Sequence, residues 1–346
     1  MERKLLLRNG AFRPWAIAAM LLLPPLIAVF CCGFGRMSLP PAKLIETAFL
    51  TLTGRDADPQ ARAVIFELRI PRILMAIAVG GGLGCAGAAC QALFSNPLAT
   101  PDILGVTSGT CVGAILAIIL SFNMAGIQAT ALLFGLFSVF VTLRLSSGKR
   151  GISILFLVLS GVMISSLFNA LSSLLKYTAD PMDKLPQITY WLMGSVAGAS
   201  WSTLQVMIPL SIAVPLFFYT QTKILNLMLL GDDTAVTLGV DLHLYRQGYL
   251  LVSALMVGFA VYAAGMIGFV GLIVPHVSRM LVGADHRRLL PIAAFSGAIF
   301  LVWADVFCRI IIPQTELPIG ILVSMIGAPC FIYLMVKKTY CFGSGV

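Results

Sequence analysis

Charged residues are scarce in this chain. Lysine, arginine, aspartate and glutamate make up 11% of its 346 residues, whereas 59% of the residues are hydrophobic and the mean hydropathy is +0.97. A soluble domain carries about 25% charged residues, so this composition excludes an ordinary soluble protein and makes membrane lipid the main solvent. The basic residues lie between apolar runs and not on a polar domain, which argues against nucleic acid as a partner.

Sequence patterns of enzymes and metal sites are also missing. The chain has three histidines and eight cysteines, and these form no CxxC or Cys/His pattern and no readable Ser-His-Asp arrangement. A phosphate-binding P-loop ending at Gly148-Lys149 would need glycine at position 143 and serine or threonine at position 150, where the chain has Leu143 and Arg150. We therefore expect no metal, no bound cofactor and no catalytic residue, and any ATP with its Mg would be bound by a separate subunit.

Long apolar runs are abundant. A helix needs about 20 apolar residues to cross roughly 30 Å of hydrocarbon. The runs that qualify are 15–33, 71–94, 103–121, 125–145, 152–175, 203–220, 247–265, 289–311 and 318–336. A shorter run, 268–282, contains Pro275 and His276 and would be a tenth span. The sequence predicts an all-α polytopic membrane protein of about ten transmembrane helices in one bundle, with residues 1–346 forming a single domain.

The distribution of positive charge predicts the orientation. With ten spans and a cytoplasmic N-terminus, 14 of the 23 lysines and arginines lie on cytoplasmic segments and 9 lie outside, six of these in or just after the first outer loop, 34–70. Nine spans would move Lys337 and Lys338 outside and weaken this bias. Because cytoplasmic segments of membrane proteins are enriched in lysine and arginine, ten spans with both termini in the cytoplasm is the better prediction.

The helix predicted over 152–175 carries polar residues along one stripe. They are Ser165, Ser166, Asn169, Ser172 and Ser173. Polar groups at membrane depth must face protein or water. Hydrogen bonding between helices and lining of a transport path are both compatible with the stripe.

Two further features suggest packing within the bundle. Gly80, Gly84 and Ala88 recur at four-residue spacing, which lets helix backbones approach closely. Asp305 and Arg309 are four residues apart on one predicted helix and can form an ion pair, which Glu316 could join.

The cytoplasmic segment at about 225–243 resembles a short helix that projects from the membrane. Gly231 followed by Asp232 and Asp233 is typical of a helix start, and Gly239 of a helix end. A small apolar face is expected from Ala235, Leu238 and Gly239. Such a face favours a partner surface, although an ordinary loop is the alternative.

Several stretches resemble a known family, the permease subunits of ATP-binding-cassette importers for iron–siderophore complexes, haem and cobalamin. The matching stretches are RIPRIL (69–74), QALFSNPLATPDILGVTSG (91–109), GDDTAVTLGV (231–240), GFVGLIVPHVSRMLVGADHR (268–287), ADVFCR (304–309), and ELPIG with GAP (316–320 and 327–329). They occur in order over roughly residues 65–336. The resemblance implies a permease dimer, two cytoplasmic ATPase subunits and an external substrate-binding protein.

The resemblance also implies roles for particular residues. Residues 231–240 match the helix that couples a permease to its ATPase, and Arg69, Arg72 and Arg309 match arginines that dock the binding protein. The helix 152–175 would line the path, with a cytoplasmic gate near Ser153 and Ile154. The expected function is import of a metal chelate, a ferric siderophore or haem before cobalamin, across a bacterial inner membrane. An ion-coupled secondary transporter, with Asp102 or Asp305 as the coupling acid, and a non-transporting sensor are the alternatives.

Overall fold

The computed structural model describes residues 7–8, 11–35, 40–148, 151–152, 154–312 and 315–343. Within these residues the only strands are four two-residue segments in two antiparallel pairs. Strand β1 (Leu7–Arg8) pairs with β2 (Ala11–Phe12), and β3 (Ser147–Gly148) pairs with β4 (Gly151–Ile152). The rest of the regular structure is helical.

The helices follow one another along the chain with short connections. The α-helices are α1 (Pro14–Cys31), α2 (Pro41–Leu52), α3 (Pro59–Ala63), α4 (Ile70–Leu93), α5 (Val106–Ile119), α6 (Met124–Ser146), α7 (Ile154–Thr178), α8 (Lys184–Leu192), α9 (Trp201–Thr220), α10 (Thr222–Met228), α11 (Asp232–Thr237), α12 (Leu242–Ala264), α13 (Val270–Val282), α14 (His286–Ile310) and α15 (Ile319–Gly343). A π-helical turn (Val64–Arg69) joins α3 to α4, and a 3₁₀ turn (Pro101–Leu104) precedes α5.

Ten of these helical segments are apolar enough to be membrane spans. Seven have the length and composition to cross a bilayer, one of them being the continuous segment from Pro59 to Leu93. Three shorter apolar helices are α5, α13 and the part of α15 up to Tyr333. The prediction of an all-α membrane protein of about ten spans is confirmed.

The span expected at 103–121 begins later than predicted. Residues Pro101–Leu104 form a 3₁₀ turn, and Gly105 adopts a left-handed conformation with φ 75° before α5 begins at Val106. A left-handed residue interrupts a right-handed helix, which is why the helical part of this span has only 14 residues. At about 1.5 Å per residue, α5 is too short to cross the bilayer as a helix by itself.

Helix α4 occupies the centre of the bundle. In the segment Pro59–Leu93, 83% of the most apolar window is buried, against 12% for α1 and 22% for α6. Helices α9, α12, α13 and α14 all pack against α4. The outer helices therefore present their apolar side chains to lipid, while α4 is enclosed by protein.

Glycines on α4 make this enclosure possible. A Cβ added to Gly80 would lie 2.2 Å from the carbonyl oxygen of Gly297 on α14, and one added to Gly87 would lie 1.9 Å from that of Gly271 on α13. Between helices in lipid, close van der Waals packing takes the place of a hydrophobic driving force. The small-residue spacing predicted from Gly80 and Gly84 is a packing surface inside this chain.

Adding a methyl group where α4 meets the backbone of α14 should destabilise the bundle. We expect Gly80→Ala to cost about 1–3 kcal/mol, because the new Cβ meets backbone that cannot rotate away. Gly248→Ala on α12 is the matched control, since nothing lies within 4 Å of its added Cβ. The stability of both variants is measured by thermal unfolding in detergent. The readout is the fraction of protein that remains monodisperse. Equal stability of Gly80→Ala and wild type would contradict the packing.

Candidate functional site

The segment that the sequence predicts to be cytoplasmic contains the expected short helix. Helix α11 starts at Asp232, after Gly231 with φ 96°, and ends at Thr237. Gly239 adopts φ 82°, a conformation that favours glycine and stops the helix. The predicted start and end are confirmed.

The apolar face of this segment differs from the prediction. Ala235 is fully buried, so its side chain faces this chain and not a partner. The ion pair between Asp232 and Arg246 of α12 holds α11 in this orientation. The large apolar side chains that remain exposed are those of Leu230, Val236 and Leu238, each more than half accessible. The prediction of an apolar face from Ala235, Leu238 and Gly239 was therefore wrong for Ala235. It also did not include Leu230 and Val236.

A hydrogen-bonded joint that the sequence did not reveal connects α10 to α14. The side-chain oxygen Oδ1 of Asn226 accepts hydrogen bonds from the backbone N–H of His286 at 2.9 Å and lies 2.8 Å from the ring Nδ1. The Asn226 Nδ2 donates to Oδ1 of Asp285 at 2.8 Å. No sequence pattern pairs Asn226 with residues 60 positions away, so only the fold could identify this contact.

Asp285 caps the N-terminus of α14 and stays ionised over a wide pH range. Burial would raise its pKa, but hydrogen bonds from Asn226, the backbone N–H of Arg287 and Arg288 outweigh this and hold the pKa below its usual value. A carboxylate with a lowered pKa stabilises the fold at pH above its unfolded pKa, and the contribution is lost as the pH falls through the folded pKa. The joint should weaken only under acidic conditions.

Four charged side chains form a buried cluster at the opposite end of α14. Arg72 Nε lies 2.7 Å from Oδ1 of Asp305, and its Nη1 lies 2.7 Å from Oε2 of Glu316. Arg309 Nη2 lies 2.7 Å from Oδ2 of Asp305. The side chains of Arg72, Asp305 and Arg309 are at most 10% exposed. The ion pair predicted between Asp305 and Arg309 is present, and Glu316 joins the cluster.

Two arginines at this end also bind the chain where α1 ends. Nη1 of Arg69 donates to the carbonyl oxygen of Cys32, and Nη1 of Arg309 donates to that of Phe34 at 3.3 Å. Cations favour the negative end of a helix. The three arginines predicted to dock a binding protein, Arg69, Arg72 and Arg309, are thus buried and engaged within this chain.

The polar stripe on α7 is divided between two environments. Ser166, Asn169 and Ser173 are exposed, Ser165 is half-buried and Ser172 is buried. The hydroxyl groups of Ser166 and Ser173 donate to carbonyl oxygens one turn earlier in α7. Only the exposed members have access to a path outside this chain.

The predicted gate lies at the start of α7. Ser153 lies outside the described residues. Ile154 is the first residue of α7 and is half-buried.

A cavity of about 680 Å³ lies among α4, α12, α13 and α15. Residues that line it include Asp102, Thr107, Met266, Phe269 and Ser324. Oδ1 of Asp102 accepts a hydrogen bond from the backbone N–H of Thr107 at 3.2 Å. No sequence pattern predicted this cavity, because its lining comes from segments far apart in the chain.

Comparison with known proteins identifies the family. The model of the FecCD transport family matches residues 22–337. The chain belongs to this family. It is 38% identical over 94% of its length to the molybdate import system permease protein MolB of Haemophilus influenzae, covering 96% of that protein. It is 36% identical over 95% of its length to the hemin transport system permease protein HmuU of Yersinia pestis, covering 98% of that protein.

A solved structure extends this agreement to the fold. The chain superposes with a TM-score of 0.83 on a metal-chelate type ABC transporter in an inward-facing conformation, at 38% identity, covering 94% of this chain and all of the other. The family membership makes this chain a transport subunit. The relatives are named for different cargoes, so membership alone does not fix the cargo.

Removing the central carboxylate of the buried cluster should destabilise the protein strongly. Asp305→Asn leaves Arg309 without its carboxylate partner and Arg72 with only Glu316. Breaking a buried pair in this way costs about 3–5 kcal/mol. Thermal unfolding in detergent measures the loss.

The matched control for this variant is Asp58→Asn. Asp58 pairs with Lys43 at 2.7 Å, and both side chains are about 40% exposed. Asparagine also keeps the cap at the start of α3, so little change is expected. If Asp305→Asn unfolds at the same temperature as Asp58→Asn, the buried cluster does not stabilise the bundle.

Proposed function

We propose that this chain is the membrane-spanning subunit of an ATP-driven importer of a metal chelate in a bacterial inner membrane. In this proposal both termini are cytoplasmic, and the chain pairs with a second, identical permease subunit. Two cytoplasmic ATPase subunits bind ATP and Mg, and an external substrate-binding protein delivers the cargo. This chain supplies the path and no cofactor.

The observation that carries the proposal is the exposed apolar surface of the cytoplasmic segment. Val236 projects from α11, and Leu230 and Leu238 flank this short helix, which is fixed to α12 by the Asp232–Arg246 ion pair. Apolar side chains of this size on a polar segment favour a protein partner, because their burial would contribute about 1.5–3 kcal/mol each. A fixed helix would transmit the partner's movement, whereas a flexible loop would absorb it.

The proposed path runs along the exposed face of α7 and past the cavity. Ser166, Asn169 and Ser173 give α7 a polar strip without charge. Among the described residues that line the cavity there is no lysine or arginine, and Asp102 is the one charged side chain. A small oxyanion would be repelled by Asp102 and would find no cation to bind. This chemistry favours a bulky chelate over an oxyanion such as molybdate. The order among chelates, a ferric siderophore or haem before cobalamin, rests on the breadth of the family alone.

The binding protein is proposed to dock at the end of the bundle that carries Arg69, Arg72 and Arg309. Since Arg72 is already paired with Asp305 and Glu316, a carboxylate from the partner would have to displace one of them. Glu316 is the more exposed of the two, at 27%. Docking through these arginines would therefore exchange an internal ion pair for one between proteins.

An ion-coupled transporter is the weaker alternative. Such a protein needs an acid that can take up and release its coupling ion. Asp305 lies between two arginines, which compete with any bound cation. Asp102 is then the remaining candidate of the two that the sequence suggested.

A charge placed on the exposed apolar surface should weaken binding of the ATPase. We expect Leu238→Asp to reduce ATPase co-purification about tenfold or more, since a lost leucine contact of about 1.5–3 kcal/mol corresponds to at least that factor. Because Leu238 is exposed in this chain, the variant should still insert and remain monodisperse.

The control is Lys223→Gln, which changes an exposed polar residue on α10, outside residues 231–240. It should bind the ATPase like wild type. Undiminished co-purification of Leu238→Asp would show that this surface does not contact the ATPase, and the proposal would lose its main support.

A further inference from the structure

The joint of Asn226, Asp285 and His286 connects two elements that are far apart in sequence. Asn226 lies on α10, inside the cytoplasmic segment, and the other two residues begin α14. His286 is fully buried, so water cannot replace the bonds that its backbone and ring make to Asn226. Asn226 accepts a hydrogen bond from His286 and donates one to Asp285, which fixes α10 to α14 in one orientation.

We propose that Asn226 is a positioning residue that transmits movement of α11 to α14. The proposal rests on the importer function, in which the ATPase moves α11. Only Leu229–Gly231 separate α10 from α11, and the two helices pack against each other. A displacement of α11 therefore moves α10, and the joint passes this displacement to the N-terminus of α14.

Helix α14 extends from the joint to the buried ion cluster. Its 25 residues span about 37 Å at 1.5 Å per residue. Pro291 removes one backbone hydrogen bond in the second turn, and beyond it α14 packs backbone to backbone on α4 at Gly297. Movement at His286 then reaches Asp305 and Arg309, near the proposed docking site of the binding protein. The joint links the ATPase side to the substrate-delivery side.

This link is separate from the contacts of α11 with its sequence neighbours. The ion pair of Asp232 with Arg246 ties α11 to α12 and does not involve α14. The side chain of Asn226 bonds to Asp285 and His286 and is not part of the exposed apolar surface, so changing it should leave ATPase binding intact. Loss of the joint should uncouple the two ends without dissociating the complex.

Two variants test the joint by breaking and restoring it. Asn226→Asp removes the amide donor and places a carboxylate against that of Asp285. Adding Asp285→Asn restores the bond between the two side chains with its donor and acceptor exchanged, because the new amide donates to the new carboxylate, which still accepts from the backbone N–H of His286. Lys223→Gln is the matched control, as Lys223 is exposed on the same helix.

The measurement is hydrogen–deuterium exchange of the complex with its ATPase in lipid nanodiscs, with and without ATP and vanadate. We expect vanadate trapping to change exchange in residues 303–312 of wild type, Lys223→Gln and the double variant. In Asn226→Asp this change should be lost, while ATPase co-purification and basal ATP hydrolysis persist. A purely structural role would lower the unfolding temperature but leave the vanadate-dependent difference.

Three results would overturn the proposal: no change in wild type, an undiminished change in Asn226→Asp, or no recovery in the double variant. Failure of the importer function itself is distinguishable. In that case wild type does not co-purify with an ATPase at all.

Discussion

The close backbone packing of α4 is the constraint on which the rest of the structure depends. Lipid chains are as apolar as leucine, so helices in a bilayer are held together by packing and polar contacts. Gly80 and Gly87 bring α4 into contact with the backbones of α14 and α13. Larger side chains would separate these helices, and the ion cluster and the cavity could not form at their present positions.

The two ends of the bundle depend on this packing in different ways. At one end, Arg72 of α4 reaches Asp305 of α14 because the two helices are adjacent there. At the other end, α10 packs against both α4 and α14, and Asn226 bonds to the start of α14. The same helix pair therefore supports the proposed docking site and the proposed coupling segment. A transport cycle that alternates between the two sides needs such a connection.

The sequence predicted well the features that depend on local pattern. It predicted poorly the features that depend on which helices pack against one another. Apolar run length located nine spans, the distribution of positive charge added the tenth, and Gly231 and Gly239 located α11. The Asp305–Arg309 pair followed from helical spacing. Burial of Ala235, the participation of Arg72 in the cluster and the Asn226 joint depend on which helices become neighbours. Hydropathy and spacing carry no information about that, because most faces of a membrane helix are apolar.

The central claim, transport driven by a separate ATPase, is tested most directly by uptake into proteoliposomes. This chain is reconstituted with its ATPase and binding protein, and accumulation of a ferric chelate loaded on the binding protein is measured. The account predicts uptake that requires ATP and the ATPase subunit and is insensitive to ionophores that collapse ion gradients. Uptake that persists without the ATPase and stops when ion gradients are collapsed would contradict it.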